Sequence, residues 1–176
     1  MLTEIQTAIR DTVRSFAQDA IRPHSARFEA EGGYPSALFE EMAGLGLWGM
    51  TAPECCGGAE ADAVSYALPL IELAAADGAL STIVSIQNSI LVSGLLKDGS
   101  ETQKARFLPD LIGGRTIGAF ALTEADAGSD ASAVRTRAVK VDGGWRITGA
   151  KQFITSGKIG GLVMIIAVTD PDAGKK

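Results

Sequence analysis

Residues Ile117–Asp130, IGAFALTEADAGSD, constrain the fold more than any other stretch, because the hydrophobic period of the sequence changes there. Before this segment apolar residues recur with helical spacing, and after it they come in the short runs typical of strands. Its first part, Ile117–Thr123, is apolar on both faces, which predicts a strand covered on both sides. Beyond Thr123 we expect Gly128 to adopt an unusual backbone conformation, in a loop whose N–H groups could hold a phosphate.

Two short segments carry a resemblance to a known family. Residues Ala121–Asp130, ALTEADAGSD, resemble the A-x-T-E-P-G-A-G-S-D signature of the acyl-CoA dehydrogenases. Residues Lys151–Gly157, KQFITSG, resemble the second motif of these enzymes, K-x-[WF]-I-T-[NS]-G. Either motif alone is a weak signal, whereas both in this order, one short hairpin apart, are a strong one. The resemblance covers essentially the whole chain and leans towards the short-chain members.

The resemblance implies a flavoenzyme that oxidises an acyl-CoA thioester to its α,β-enoyl form, with FAD as the cofactor that accepts the hydride. It places the hydroxyls of Thr123 and Thr155 at the flavin ring and Phe153 over its face. Gly128 and Ser129 would approach the pyrophosphate, and Ser129 would also lie near the acyl-CoA. The full set of implied flavin contacts is Phe120, Ala121, Leu122, Thr123, Gly128, Ser129, Phe153, Ile154 and Thr155. Taken singly, such threonines and aromatic residues are also ordinary strand residues.

The resemblance also implies that the catalytic base is not in this sequence. In the family a glutamate of a C-terminal domain removes the substrate proton, and the corresponding residue would lie beyond Lys176. Glu124 belongs to the first motif, but its place beside a strand end predicts a structural hydrogen bond. The Pro-Gly of the family signature is Ala125-Asp126 here. We expect Asp126 to point to solvent or towards a cation such as Arg135.

The sequence predicts an α+β fold, with an N-terminal all-α helical bundle domain, residues 1–116, followed by the first strands of a β-barrel domain, residues 117–176. The C-terminal helical domain of the family is absent, so the sequence resembles the N-terminal portion of a longer enzyme or a separately encoded piece of one. Spacing and caps predict helices over Thr3–Pro23, His24–Glu31, Pro35–Gly44, Asp62–Ala76, Leu80–Lys97 and Ser100–Gly113. Short apolar runs predict strands over Val134–Val141, Trp145–Thr148, Lys151–Thr155 and Leu162–Val168, the first two as a hairpin.

The segments Asp62–Ala76 and Leu80–Lys97 are apolar almost all round, which places both in the middle of a helical bundle. Polar residues interrupt the second segment and need hydrogen-bond partners; they are Ser81, Thr82, Ser85, Gln87, Asn88 and Ser89. They could bond to neighbouring helices, or the helix could line a ligand cavity. The resemblance favours the acyl tail as that ligand, facing Thr82, Ile83 and Ile86. Bulky residues there would favour short or branched acyl groups.

Charge and hydropathy exclude several classes of function. The net charge of −5 provides no basic surface for nucleic acid. The N-terminus lacks the basic and apolar regions of a secretory signal, and the longest strongly apolar run, Leu162–Val168, is too short to cross a bilayer. We therefore expect a cytoplasmic protein without a membrane span. The resemblance further implies an electron-transferring flavoprotein as electron acceptor and a homo-oligomer for the complete enzyme.

The cysteines do not predict a metal or disulfide site. Cys55 and Cys56 are adjacent, so a disulfide between them would be strained. His24, the only histidine, is distant in sequence, which disfavours zinc and iron–sulfur sites. The simplest interpretation is that both cysteines are loop residues. Trp48, which precedes them, is expected to be a buried packing residue.

Three functional hypotheses follow. The first is a FAD-dependent acyl-CoA dehydrogenase, and the second is an oxidase or flavin monooxygenase on the same scaffold. The third is a non-catalytic partner or remnant that packs against a complete subunit. No G-x-G-x-x-G sequence follows a first strand, so a Rossmann-type nucleotide site is disfavoured.

Overall fold

The computed structural model describes residues 1–173. Its contacts divide the chain into two compact units, Met1–Ile117 and Gly118–Lys176. Helices build the first unit, whereas short strands and loops build the second. The predicted α+β fold class is therefore confirmed.

The helices of the first unit begin and end close to the predicted positions. Thr3 caps the first helix and exchanges two hydrogen bonds with Gln6, both of 3.1 Å, as the predicted capping box requires. Ser100 and Gln103 form the second predicted box, with bonds of 2.8 and 3.3 Å. The helices are α1 Glu4–Phe16, α2 Ser25–Glu31, α3 Ser36–Gly44, α4 Ala63–Ala76, α5 Gly78–Ile86, α6 Ser93–Asp98 and α7 Glu101–Ile112, with a π-helical turn Ala17–Ile21 and a 3₁₀ turn Arg22–His24 after α1.

A π-helical segment, Gln87–Val92, joins α5 and α6 into one continuous helix. Two fully buried polar side chains lie in this segment. The amide of Gln87 donates to the carbonyl oxygens of Leu111, at 2.8 Å, and Thr116, at 2.9 Å. These bonds connect the helix to α7 and the chain after it. The interpretation that polar groups of this helix bond to neighbouring segments is therefore confirmed for Gln87.

Asn88 connects the same helix to the loop after α3. Its side-chain oxygen accepts from the N–H of Met50 at 2.7 Å, and its amide donates to the oxygen of Leu47 at 2.8 Å. Asn88 is fully buried, so each of these bonds satisfies a group that water cannot reach. The loop is thereby held against the core helix.

The helix Gly78–Asp98 is long and apolar enough to cross a membrane by length and composition alone, with 21 residues and a mean hydropathy of 1.5. The shortness of the apolar run Leu162–Val168 therefore does not by itself exclude a membrane span. Half of the helix's most apolar window is buried inside the unit. With its bonded Gln87 and Asn88, the helix has the properties of a core helix in a helical domain.

The core of the first unit lies between α1, α3, α4 and α5. Trp48 is fully buried within it, as predicted, and its indole N–H donates to the oxygen of Phe39 at 3.0 Å. Gly114 has a φ of +68°, and a Cβ at this position would collide with the Trp48 ring. The buried apolar residues are Val13, Ala17, Ile21, Phe28, Leu38, Met42, Leu47, Trp48, Met50, Leu73, Leu80, Ile83, Val84 and Ile117.

The prediction that α4 is enclosed on all sides is wrong for this unit. Ile71 is 61% exposed and Val64 is 45% exposed. The helix packs against α1 on one side and α5 on the other, and these two neighbours cover only part of its circumference. Leu73, on the covered side, is fully buried.

The second unit contains two small sheets. Strand β1, Gly118–Ala121, pairs in parallel with β4, Leu162–Ile165, with Gly118 opposite Leu162. Strands β2, Arg137–Val141, and β3, Gly144–Thr148, form the predicted antiparallel hairpin. The strands are shorter than predicted, because residues such as Thr136 and Val168 make single bridging bonds instead of a ladder; the N–H of Val168 donates to the oxygen of Thr136 at 2.8 Å.

The prediction of a strand over Lys151–Thr155 is wrong. This segment is a loop, and Phe153 has a φ of +55°. Ser156, just beyond it, has a φ of +61°. The left-handed region is incompatible with a strand. The β1 segment, in contrast, is buried as predicted, with Ala119 fully buried and Ala121 4% exposed.

Candidate functional site

The second unit brings the two sequence motifs into direct contact. The ammonium group of Lys151 donates to the oxygen of Leu122 at 2.8 Å and to Oε1 of Glu124 at 2.9 Å. The backbone N–H of Gln152 donates to the oxygen of Thr123 at 3.0 Å, and its side chain donates to the oxygen of Glu124 at 3.3 Å. Two adjacent residues of the second motif thus hold three consecutive residues of the first. We call this arrangement the motif junction.

Glu124 is the centre of the motif junction. Glu124 is 8% exposed, and its carboxylate also accepts from the backbone N–H groups of Arg135, at 2.7 Å, and Thr136, at 2.9 Å. The hydrogen bond from Lys151, together with these N–H groups, lowers the pKa of Glu124 to about 2. The predicted structural hydrogen bond of Glu124 is confirmed. A carboxylate that is ionised and fully bonded in this way is a poor proton acceptor.

The loop after Glu124 forms a short turn. The N–H of Glu124 donates to the oxygen of Ala127 at 2.8 Å, and the N–H of Ala127 returns a bond of 3.3 Å. Asp126 pairs with Arg135 at 3.0 Å in solvent, as predicted. The carboxylate of Asp126 is therefore matched by a cation, although it stands where the family signature has glycine.

Gly128 does not have the unusual backbone that the sequence predicted. Its φ lies outside the left-handed region, and a Cβ there would meet no atom within 4 Å. The expectation was wrong because the turn closes at Ala127, one residue earlier. Within residues 1–173, the N–H groups of Gly128 and Ser129 make no hydrogen bond, and both residues are exposed. The chain's own packing therefore does not require glycine here.

The second motif presents an exposed aromatic ring on a strained backbone. Phe153 is 88% exposed and its φ of +55° is rare for a bulky residue. Ser156 is the second left-handed residue of this loop, and its Oγ is buried without a hydrogen-bond partner among residues 1–173. Backbone strain of this kind is often found at ligand sites. The sequence analysis missed Ser156, because the motif alone does not indicate its conformation.

The two threonines predicted to contact the flavin are both half-buried. Thr123 lies two residues beyond the end of β1, and Thr155 lies in the loop of the second motif. In the described part of the chain neither hydroxyl has a hydrogen-bond partner. Of the remaining predicted residues, Phe120, Leu122 and Ile154 are half-buried and Ala121 is buried. The motif junction thus brings the two predicted segments together, and their individual roles stay predictions.

The residues predicted to face the acyl tail lie on α5 in the first unit. Thr82 is exposed, and its hydroxyl donates to the oxygen of Gly78 at 2.9 Å. Ile86 is half-buried and, four residues later, lies on the same side of the helix. Ile83 is only 7% exposed and belongs to the hydrophobic core. In this unit Ile83 therefore packs against protein, and the contact of all three residues with an acyl tail stays a prediction.

Lys151 and Gln152 join the two motifs, and the sequence analysis did not predict this contact. The signal that could have found Lys151 is Glu124, because an acidic residue at the end of a buried strand needs a cation nearby.

A cavity of about 460 Å³ lies in the first unit, between α1, α4 and the loop after α3. Apolar residues such as Ile9 and Met50 line it. It contains none of the residues predicted to contact flavin or acyl-CoA. We therefore do not include it in the candidate site.

Comparisons with known proteins give matches over nearly the whole chain. Residues 3–115 match the model of the acyl-CoA dehydrogenase N-terminal domain, and residues 119–176 match that of the middle domain. An acyl-CoA dehydrogenase of Bacillus subtilis is 38% identical over 174 residues, which are 99% of this chain and 46% of the relative. The short-chain specific acyl-CoA dehydrogenase of Clostridium acetobutylicum is 34% identical over 99% of this chain and 46% of its own length.

A solved structure has the same fold. The glutaryl-CoA dehydrogenase of Mycobacterium smegmatis, in complex with FADH2, matches with a TM-score of 0.89 and 37% identity, covering 96% of this chain and 44% of that one. The chain thus spans less than half the length of these relatives. Two family models cover nearly the whole sequence, and the two motifs that characterise the family meet in the structure. The chain belongs to the acyl-CoA dehydrogenase family.

Proposed function

We propose that residues 1–176 provide flavin and acyl-CoA contacts of an FAD-dependent acyl-CoA dehydrogenase, which converts a short or branched acyl-CoA thioester to its α,β-enoyl form. The observation that carries this proposal is the motif junction. It holds two segments side by side and leaves the hydroxyls of Thr123 and Thr155 without partners in the described chain. Family membership indicates the reaction. The hydroxyls of Thr123 and Thr155 lack partners in the described chain, which supports these two residues as flavin contacts.

The residues of the second unit fit a flavin ring. A half-buried hydroxyl is partly shielded from water. If it has no protein partner, a ligand can provide the hydrogen bond that it lacks. Thr123 and Thr155 would donate to, or accept from, the polar atoms of the ring. Phe153, which is 88% exposed, offers a flat apolar surface for one face of it. The backbone strain at Phe153 costs about 1–3 kcal/mol, and the bonds of Lys151 and Gln152 hold the start of this loop.

The turn after Glu124 fits the pyrophosphate of the cofactor. The N–H groups of Gly128 and Ser129 are free to bind an anion in the described structure, and the missing Cβ at Gly128 allows close approach. Arg135 balances the charge of Asp126 next to this turn. Ser129 is also our candidate for a contact to the acyl-CoA, and Thr82, Ile83 and Ile86 are our candidates for the acyl tail.

When bound, FAD supplies the hydride acceptor of the reaction. The chain's own residues would bind and orient the cofactor, through the hydroxyls of Thr123 and Thr155 and the ring of Phe153. We place the catalytic base outside residues 1–176, because two of the candidate carboxylates are engaged in ion pairs. Glu124 is held by Lys151, and Glu72 by Arg14 at 2.7 and 2.9 Å. In both cases the hydrogen bond from the cation lowers the pKa of the carboxyl group, whereas a general base works best with a pKa near the working pH.

The same proposal includes an electron-transferring flavoprotein as acceptor, assembly into a homo-oligomer and a cytoplasmic location. All three rest on family membership or on sequence composition.

The test is a spectroscopic experiment on the natural polypeptide that carries these residues. We expect stoichiometric yellow FAD after purification, anaerobic bleaching by butyryl-CoA, and slow reoxidation by air. Fast reoxidation by air would instead indicate an oxidase or a flavin monooxygenase on the same scaffold. A protein that binds no FAD, even when FAD is added in excess, would contradict the proposal and favour a non-catalytic partner.

A further inference from the structure

The dipeptide Asp-Gly occurs three times in the chain, as Asp77-Gly78, Asp98-Gly99 and Asp142-Gly143. In such a pair the aspartyl side chain can cyclise onto the backbone nitrogen of the glycine and then reopen as isoaspartate. Glycine favours this reaction because it has no Cβ to obstruct the approach of the carboxyl group. The surroundings of each pair therefore decide whether it can react.

The first pair is protected at its carboxylate. Asp77 is 9% exposed and accepts hydrogen bonds from the hydroxyls of Ser25, at 2.8 Å, and Tyr34, at 3.0 Å. The backbone N–H of Leu80 donates a third bond of 2.9 Å. To reach the nitrogen of Gly78, the carboxyl group would have to leave these partners in a buried position, where unpaired polar groups are costly.

The second pair is protected at its nitrogen. Asp98 is exposed at the end of α6, but the N–H of Gly99 donates to the oxygen of Leu95 at 2.9 Å. The surroundings of Gly99 are also crowded, since a Cβ there would collide with the same oxygen. Cyclisation at Asp98 therefore has to break the hydrogen bond that ends the helix.

The third pair has neither protection. Asp142 and Gly143 form the exposed two-residue loop of the β2–β3 hairpin. Among residues 1–173, the carboxylate of Asp142 has no hydrogen-bond or ion-pair partner, and the N–H of Gly143 makes no hydrogen bond. A Cβ at Gly143 or Gly144 would meet no atom within 4 Å. Both reacting groups are therefore free, and the space around them is open.

The backbone of this loop is also able to rearrange. Gly143 has a φ of +80°, whereas Asp142 does not have a positive φ, a combination found in type II turns. The twist of such a turn does not match that of the strands in a two-residue hairpin. In addition, β2 and β3 form a sheet of two strands, which is marginally stable by itself. We propose that Asp142 is a modification site, at which the chain isomerises spontaneously to isoaspartate.

The reaction is a rearrangement without oxidation, reduction or change of mass. The nitrogen of Gly143 bonds to Cγ of Asp142, a C–O bond of the carboxyl group breaks, and water leaves with the proton of the N–H group. A second water then attacks the main-chain carbonyl carbon of Asp142 and breaks its bond to nitrogen, which leaves a free α-carboxylate. The backbone now runs through Cβ and is one atom longer. Because hairpin register depends on loop length, the pairing of Val141 with Gly144 should be lost.

The experiment is a prolonged incubation, at mildly acidic pH, of the natural polypeptide that carries these residues. The three pairs fall in different tryptic peptides, residues 28–97, 98–104 and 141–146. Isoaspartate is recognised by a changed retention time at unchanged mass and is located by electron-transfer fragmentation. We expect it to accumulate in 141–146 at least about fivefold faster than in 98–104, the effect of the one hydrogen bond that Gly99 has to lose. The peptide 28–97 should remain unmodified at Asp77.

Two variants and a denaturant test the assignment. Asp142→Glu should abolish the signal in 141–146, because glutamate would have to close a larger ring, whereas Asp98→Glu is the matched control and should leave that signal unchanged. In concentrated urea the three pairs lose their surroundings, so their rates should become similar. A rate at Asp142 no higher than at Asp98 in the folded polypeptide would overturn the proposal. Rates that stay as unequal in urea would also overturn it, because the neighbouring sequence would then decide the reaction and the fold would not.

Discussion

The ammonium nitrogen of Lys151 lies 2.9 Å from Oε1 of Glu124 and 2.8 Å from the oxygen of Leu122. This one side chain therefore binds both the carboxylate and the backbone of the other motif. Both partners of the ion pair are almost fully shielded, with side-chain exposures of 11% and 9%. A shielded pair fixes relative position, because either charge without its partner would be poorly solvated.

We expect Lys151→Met to separate the two motifs. The variant keeps an unbranched side chain but removes the cation, so Glu124 is left shielded and unpaired. Flavin affinity of the natural polypeptide should fall by about tenfold or more, measured as fluorescence of released FAD. Lys158→Met is the matched control, because Lys158 is an exposed lysine just beyond the same motif. Equal affinities of the two variants would show that the ion pair does not position the site.

The pKa of Glu124 predicts a pH-dependent stability. Its pKa falls from 4.5 to about 2 in the folded chain, mainly through the hydrogen bond from Lys151. A lowered folded pKa contributes stability above the unfolded value, and this stability is lost as the pH falls from about 4.5 towards 2. Urea unfolding of wild type and Glu124→Gln should therefore differ more at pH 6 than at pH 3. Asp126→Asn, in the same turn but exposed, is the control, and an equal difference at both pH values would contradict the assignment.

The sequence could predict those features whose causes are local. The boxes Thr3–Gln6 and Ser100–Gln103 form because their partners are three residues apart, and they mark the helix starts correctly. The β2–β3 hairpin follows from Asp142-Gly143-Gly144 for the same reason. The prediction of a strand over Lys151–Thr155 failed, because Lys151 and Gln152 bond instead to Leu122, Thr123 and Glu124, up to 29 residues away. Local strand propensity cannot compete with such contacts.

The candidate site shows the same division. The two motifs predicted Thr123 and Thr155 as flavin contacts. Only the fold shows that Lys151 and Gln152 join the two segments. The backbone strain at Phe153 and Ser156 is a product of tertiary structure and leaves no local sequence signal. Gly128 is the opposite case. The glycine predicted an unusual backbone conformation, but its φ lies outside the left-handed region, and the space beside it is open.

Thr155→Val should weaken flavin binding. The substitution removes one hydroxyl and keeps the shape, so the loss of a hydrogen bond to a buried ligand atom should cost about 1–3 kcal/mol. Thr148→Val, at the exposed end of β3, makes the same chemical change outside the motif and should have no effect. The measurements are FAD affinity and the visible spectrum of the bound flavin in the natural polypeptide. Unchanged values for Thr155→Val would remove this residue from the site.

Ile86→Ala should shift the substrate preference towards longer acyl chains. If α5 runs beside the acyl tail, shortening the half-buried Ile86 lengthens the pocket, and one methylene group is worth about 1–3 kcal/mol of discrimination. The control is Ile71→Ala, the same change at a residue of α4 that is 61% exposed. The measurement is kcat/KM for acyl-CoA substrates of increasing length. A fixed chain-length profile would show that this side of α5 contacts only protein.

The 176-residue chain alone should be unable to oxidise an acyl-CoA, even with excess FAD. Glu72 and Glu124 are held in ion pairs, so neither is available as a base. Strand β4 also pairs only with β1 among the described residues and exposes Val163, at 43%, and Ile165, at 38%. An apolar edge of this kind invites pairing with another chain, and a two-stranded sheet is marginally stable by itself.

We therefore expect the isolated chain to aggregate or to need a partner, and we would measure its mass in solution, its bound flavin and its turnover of butyryl-CoA. Adding back the remainder of a homologous enzyme as a separate polypeptide is the matched comparison, and it should restore flavin binding if the two parts assemble. A monodisperse monomer that turns over butyryl-CoA would contradict the prediction. Glu54, which is exposed and forms no ion pair in the described structure, would then be the first residue to test as the base.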